Sequence, residues 1–253
     1  MILKSSGASV PAIKSSTNAI INISTGGGGP HMSIEDRASA GRALKPEMCS
    51  LNMGSVNLVL SEMAEREREW KHDWEVPFLK GTRGLIFRNT YDDIKWILEH
   101  VGNTGGTRFE FECDDVGHLY TLDYFLEKGL VKPPLFVQTV FGLRGAMGAH
   151  VEDLLHQKRT VGPPLWQRLP LVRARCRQAP DADRKRLASL MGGNVRVGLE
   201  DSLYIGRGQL RSQQRRSGPQ DPPDPRRTGH RGPHHRIKHR QMLGLKGADQ
   251  VNF

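Results

Sequence analysis

Arg196, Glu200 and Asp201 are the residues of this chain best placed to do chemistry. They lie in the run Gly192-Gly193-Asn194-Val195-Arg196-Val197-Gly198-Leu199-Glu200-Asp201. As a strand, that run points Val195, Val197 and Leu199 one way and Arg196 and Glu200 the other, because side chains alternate. Asp201 then sits at the strand's carboxyl lip. A guanidinium and two carboxylates are not desolvated cheaply without partners or a task. An Arg beside a carboxylate keeps it ionised and ready as a base. A structural salt bridge at a sheet rim is the alternative. Three other features carry the same ambiguity. Glu110 and Glu112 share one face of Arg108–Cys113, either a solvated face or, given Phe109 and Phe111 between them, a buried strand at a site. Gly26 to Gly29 lacks the following Lys-Ser/Thr of a phosphate loop and reads more readily as a turn. His118 follows a glycine, and a structural role and a ligand role both remain open.

These residues need elements to hold them. Ala19–Ser24 is a buried-type strand, and Ser33 with Asp36 opens a helix in the manner of a capping box. Met48–Met53, Arg108–Cys113 and Leu135–Gly142 read as further strands. Leu119–Leu130, closed by Gly129, and Val151–Lys158 read as helices, and Asn194–Glu200 as the last strand. Alternating strands and helices imply a parallel sheet. Several strands finish on polar residues and glycine, as an α/β (β/α)8 TIM barrel requires on its active face. A doubly wound open sheet also places ligands at strand carboxyl ends. Residues 70–90 fit neither pattern and read as an aromatic inserted arm that covers the mouth or meets a neighbouring subunit.

Composition narrows the class. The chain has 253 residues, 37% of them hydrophobic, with 28 Gly, 15 Pro and a net charge of +10. That charge is local. Residues 161–186 hold seven Lys/Arg against two Asp, and residues 207–240 hold ten against two, so the remainder is slightly acidic. No apolar run is long enough to span a membrane, and Met1–Lys14 has no signal-peptide core. Cys49, Cys113 and Cys176 form no metal or redox spacing, which points to a reducing, cytoplasmic setting.

Long motifs now resemble one family. They are Asn22-Ile23-Ser24-Thr25-Gly26-Gly27, Lys45–Ser55, Phe87-Arg88-Asn89-Thr90, Thr107–Tyr120, Val131–Gln138 and the run through Glu200 and Asp201. The chain resembles the β-keto acid cleavage enzymes, among them the 3-keto-5-aminohexanoate cleavage enzyme. The resemblance covers roughly residues 11–160, 187–210 and 241–253. It implies a zinc-dependent barrel that converts a β-keto acid and acetyl-CoA to a new acyl-CoA and acetoacetate, with zinc as Lewis acid. It implies Glu200 as a zinc ligand, Asp201 as the acid/base and Arg196 as its electrostatic partner. Ser24 and Gly27 would receive the substrate at the family's third strand, Ser50 and Asn52 at the fourth, and Glu112 at the fifth, where it would bind the substrate's far end. A homo-oligomer is also implied.

The chain departs from that pattern in three places. It starts just before the family's third strand, so the first two strands and their His-x-His zinc ligands are missing. Glu200 alone falls short of the three protein ligands a catalytic zinc wants, and the barrel is expected to be incomplete. Residues 161–186 do not read as barrel sequence. Under one choice of synonymous codons, a one-base shift turns Leu171–Arg184 into Trp-Ser-Val-Leu-Gly-Ala-Gly-Arg-His-Gln-Met-Pro-Ile, a strand like the family's seventh. The same shift turns Arg211–Arg231 into Ala-Ala-Asn-Ser-Ala-Glu-Val-Ala-His-Lys-Ile-Arg-Arg-Ile-Leu-Asp-Glu-Leu-Gly-Ile-Glu, an amphipathic helix. Both segments therefore read as out-of-frame translations, with the seventh strand and the C-terminal helix disrupted.

The expected organisation is a partial barrel over 1–206, an Arg/Pro/Gly-rich disordered segment over 207–240 and a family-like tail over 241–253. The expected function is β-keto acid cleavage. The alternatives are a non-functional fragment, or a basic protein binding polyanions through 207–240. That arm has no aromatics for base stacking, so no specific nucleic acid and no membrane partner is expected.

Overall fold

The computed structural model describes residues 2–27, 32–65, 69–166, 171–176, 193–196, 204–206, 209–210 and 235–253. Within them run helix α1 (Ile2–Ser16), strand β1 (Asn22–Ser24), helices α2 (Ile34–Arg37) and α3 (Ser39–Leu44), and strands β2 (Met48–Asn52) and β3 (Val56–Asn57). Helix α4 (Glu75–Gly81), β4 (Ile86–Phe87), α5 (Tyr91–Ile97), β5 (Arg108–Cys113), α6 (Val116–Glu127), β6 (Phe136–Phe141) and α7 (Val151–Trp166) come next. The last elements are β7 (Leu171–Cys176), β8 (Asn194–Val195), β9 (Tyr204–Gly206), β10 (Gln209–Leu210) and α8 (His235–Leu243).

Six strands form one parallel sheet in the order β1-β2-β5-β6-β7-β8. The order runs with the chain and never reverses. A doubly wound sheet reverses at its switch point, so this topology is compatible with a barrel. One half of the predicted Ser33–Asp36 capping box forms, and two further caps, not predicted from the sequence, appear. The Ser33 hydroxyl accepts the Asp36 N–H, and Thr90 and Asp93 form a reciprocal box at the start of α5. Helix α6 starts under an Asp115 cap, and Gly129 closes it at φ 71°, a conformation that glycine adopts without a Cβ clash.

The two faces of the sheet differ. Cys49, Leu51, Phe109, Phe111 and Val137 point to the helices and pack on Ile94, Ile97, Val101, Leu119, Leu122 and Phe125. Burying each large side chain there contributes roughly 1.5–3 kcal/mol. On the other face, Met48 and Phe136 are closed off by Leu243 of α8, with Ile20 and Leu245 beside them. Past that plug, towards the strands' carboxyl ends, the face turns polar.

The tail over 235–253 is stapled to the amino end of the sheet. Arg240 donates to both oxygens of the buried Glu47 carboxylate, at 2.8 and 2.9 Å. Lys246 donates to the carbonyls of Lys45 and Gly105, and the Asn252 amides donate to Ala43 and Leu44. The Lys14 amine reaches the Phe253 carbonyl at 2.6 Å.

Several expectations change. The 70–90 segment is not wholly irregular. It holds α4 and β4, and β4 pairs antiparallel with β3. Trp74, Phe78 and Ile86 remain exposed. Within 161–186 a strand, β7, pairs in register with β6, where no barrel element was expected. Backbone hydrogen bonding is indifferent to side-chain identity, so an arginine-rich strand still fits a ladder. Residues 235–240 are helical rather than disordered, and 209–210 pair with 204–206. Residues 211–234 lie outside the described residues. Helix α7 runs on to Trp166, past the predicted end at Lys158. No described helix is long and apolar enough to cross a membrane.

Candidate active site

Strand register assembles the polar face row by row. Ser24 pairs with Ser50, and Ser50 with Glu110. One pleat further on, Asn52 pairs with Glu112, and Glu112 with Gln138. Each of these residues shares its strand's inward parity, so the row is a direct product of alternation.

Glu112 is the centre. Its Oε1 accepts from Gln138 Nε2 at 3.0 Å and from Arg196 Nη1 at 3.3 Å. The Arg196 side chain retains 23% of its exposure and that of Glu112 only 10%, so this ion pair is partly desolvated and stronger than a surface pair. Gln138 is fully buried, and its Oε1 has no hydrogen-bond partner among the described residues. Below, buried Glu110 accepts from Asn22 Nδ2. Beside it, Asn52 Nδ2 donates to Asp114 Oδ2 at 3.0 Å.

Bonds from behind the row fix Asn52. Its carbonyl accepts from Asn89 Nδ2 at 2.7 Å, the Asn89 N–H donates to Ser55 Oγ, and Arg37 Nη2 donates to Asn89 Oδ1. Arg37 is buried with its guanidinium over the Phe87 ring, and burial lowers its pKa. At the lip of β1, Ser24 Oγ accepts the Gly26 N–H, and Thr25 Oγ1 donates to the Ser50 carbonyl at 2.6 Å. Gly27 has φ 95°, and among the described residues nothing lies within 4 Å of where a Cβ would stand.

Ser24, Ser50, Asn52, Glu112 and Arg196 therefore lie on one face at the strands' carboxyl ends, and Gly27 lies in the loop above. Arg196 meets Glu112. Its expected partner Asp201, and Glu200 with it, lie outside the described residues. His118 has a structural contact set: its Nδ1 accepts the Asp114 N–H at 3.1 Å and its ring packs on Gly54. Gln138, Asn22, Asp114 and Asn89 lie within the motifs but had been given no site role, and Arg37 lies outside them; all five join the site. Gln138 was findable, since it is a polar residue of inward parity at the end of an otherwise apolar strand.

Among the described residues, no three His, Cys, Asp or Glu side chains converge to hold a metal. The described set is rich in paired donors and acceptors: three carboxylates, each with a named donor or neighbour, and two guanidiniums, Arg196 in the row and Arg37 behind it. Such a layer can orient a substrate that bears a carboxylate and a carbonyl.

A parallel sheet in chain order, with a polar row across its carboxyl ends, defines an α/β protein of the class that binds ligands at those ends. The chain belongs to the beta-keto acid cleavage enzyme family, whose sequence model matches residues 4–216. A 3,5-dioxohexanoate:acetyl-CoA acetone transferase of Paraburkholderia graminis is 47% identical over 206 residues, covering 79% of this chain and 64% of its own length. A 3-keto-5-aminohexanoate cleavage enzyme of Acetoanaerobium sticklandii is 29% identical over 204 residues, covering 79% and 62%. A 3-dehydrocarnitine:acetyl-CoA trimethylamine transferase of Rhizobium meliloti is 28% identical over 165 residues, covering 65% and 46%. The chain thus spans less than two thirds of the length of these relatives.

Proposed function

We propose that this chain carries the acyl-transfer half-site of a β-keto acid cleavage enzyme. The reaction joins a β-keto acid and acetyl-CoA and yields a new acyl-CoA and acetoacetate. Atoms balance when the C2–C3 bond of the keto acid breaks, its acyl part passes to the CoA sulfur, and the released carboxymethyl carbon takes the acetyl group. The observation that carries this reading is the Glu112–Arg196–Gln138 cluster at the strand ends, in a chain 47% identical to an enzyme named a 3,5-dioxohexanoate:acetyl-CoA acetone transferase.

In this proposal Asp201 moves the proton during C–C cleavage and formation, and Arg196 supplies positive charge beside it. Ser24, Gly27, Ser50 and Asn52 receive the carboxylate end, and Glu112 faces the far end. A 3,5-dioxo acid is the first substrate to try, since the 47% identical relative is named for one. Zinc, when bound, would polarise the keto group, with Glu200 as one ligand. The described residues do not complete a zinc site, so no step here runs through the metal. The free thiols of Cys49 and Cys113 support a reducing, cytoplasmic compartment. The exposed Trp74, Phe78 and Ile86 support a self-association surface.

The test is incubation of the purified chain with 3,5-dioxohexanoate, acetyl-CoA and zinc, with CoA esters resolved by mass spectrometry. A new acyl-CoA that disappears in Glu112→Ala supports the proposal. A folded chain that produces none overturns it.

A further inference from the structure

A cavity of about 380 Å³ opens at the end of the sheet opposite the polar row. Lys45 and Gly105, which line it, precede the amino ends of β2 and β5. One wall is the last turn of α3 with Arg42 and Lys45. The other is the π-helical turn Leu98–Asn103, with His100, and the adjoining Thr104. The described lining contains no carboxylate. A further cation stands beside it, because Lys246 Nζ donates to the carbonyls of both Lys45 and Gly105 at 2.7 Å. Burial first, and then the Lys45 charge, lowers the pKa of Lys246, as crowded like charges should.

The walls are fixed in advance. The Arg42 guanidinium lies 5.4 Å over the Trp96 ring, and Trp96 stacks on His100 at 4.3 Å. His100 Nδ1 is 2.9 Å from the Trp96 carbonyl. Lys45 has φ 43° and is the sole non-glycine residue at positive φ among those described. It also precedes Pro46, where helical angles are further disfavoured. Lys45 is the left-handed C-cap of α3, its N–H donating to the Gly41 carbonyl, which fixes its backbone at the cavity wall. Helix carboxyl termini carry about half a negative charge each. Two such ends do not balance Arg42, Lys45 and Lys246.

We infer that this cavity binds a small phosphate-bearing anion. An arginine fork beside lysine and imidazole suits phosphate oxygens, and the lining hydroxyls of Ser39 and Thr104 already donate to the Asp36 and Glu99 carbonyls. The site lies away from the strand carboxyl ends, so its occupant does not touch the proposed substrate row.

Inorganic pyrophosphate titrated calorimetrically into the full chain tests this. The Arg-rich stretches 161–186 and 207–240 also attract polyanions, so variants make the distinction. Arg42→Gln and Lys45→Gly are each expected to weaken binding about fivefold or more. Glycine is at ease at φ 43°, so Lys45→Gly should keep its melting temperature. Thr104→Glu, at an exposed position, puts a carboxylate in the lining and is expected to weaken binding about tenfold or more. Thermal melts confirm that each variant is folded, and any one that is not leaves two others reporting from different walls. Equal affinity in the wild type and the folded variants would assign the binding to the Arg-rich stretches and overturn the inference. No heat of binding at millimolar pyrophosphate would also overturn it.

Discussion

Glu112 and Arg196 show what a single contact in this chain is worth. Replacing Glu112 by Ala takes one carboxylate partner from a guanidinium that is three-quarters buried and removes the acceptor of the Gln138 amide. The expected loss is about 1–3 kcal/mol of unfolding free energy, measured by urea denaturation, with a smaller loss for Glu112→Gln. Gly54 sits under the His118 ring, and a Cβ there would lie 2.4 Å from it. Gly54→Ala must push His118 off the Asp114 N–H, and a fall in melting temperature with no change in zinc response is expected. The thiols give a pH prediction. Burial pushes Cys49 up to about 12 from about 9, and Cys113 rises as well. The folded state keeps protons that the unfolded chain loses above pH 9. Stability is therefore unaffected by these thiols below pH 9 and declines between pH 9 and 12. Both thiols should resist Ellman's reagent at pH 8 until denaturant is added. At this scale strand parity put Glu112 on one face with Glu110, while Ser50 and Asn52 came from the family resemblance. Neither could pair Arg196 with Glu112, because the two are 84 residues apart and no local pattern encodes that meeting.

Elements tell a parallel story. Strands β2, β5 and β6 were legible to within a residue or two, since each is a short apolar or alternating run with turn signals around it. Strand β7 and helix α8 were not. Their arginines obscure any hydrophobic period, and their places come from neighbours: β6 offers β7 a free ladder, and Glu47 offers Arg240 a carboxylate. The 70–90 segment was misread for another reason. Helix α4 is seven residues long, too short to declare a period, and it keeps Trp74 and Phe78 in solvent. Helix α8 supplies the sharpest test. In a double-mutant cycle, Glu47→Ala and Arg240→Ala should couple by about 1.5–3 kcal/mol. Each single change should cost more than the pair's net worth, because it leaves a buried charge uncompensated. Strictly additive losses would mean that the Glu47–Arg240 pair itself contributes nothing to holding α8.

For the whole molecule, the family and the α/β class were legible, and the completeness of the site was not. The chain spans 64% of its 47% identical relative, and its described residues gather no metal-binding trio. Purified from zinc-supplemented medium, it is expected to hold well under one zinc per chain by elemental analysis. Stoichiometric zinc would show that Glu200 has partners that neither the motifs nor the described residues supply. Sequencing the encoding DNA addresses the two aberrant stretches: single-base shifts near Leu171 and Arg211 should restore a strand and a helix.

The Glu47–Arg240 clasp also sets a timetable. Its partners are 193 residues apart, and ribosomes deliver about 5–20 residues per second. Glu47 therefore waits about 10–40 s for its counter-ion. Met48 waits as long for Leu243 to cover it, and Phe136 waits about 5–20 s. The nascent chain must hold an apolar patch and an unmatched carboxylate at one end of its sheet until the last stretch emerges, and that interval is when a chaperone would find it.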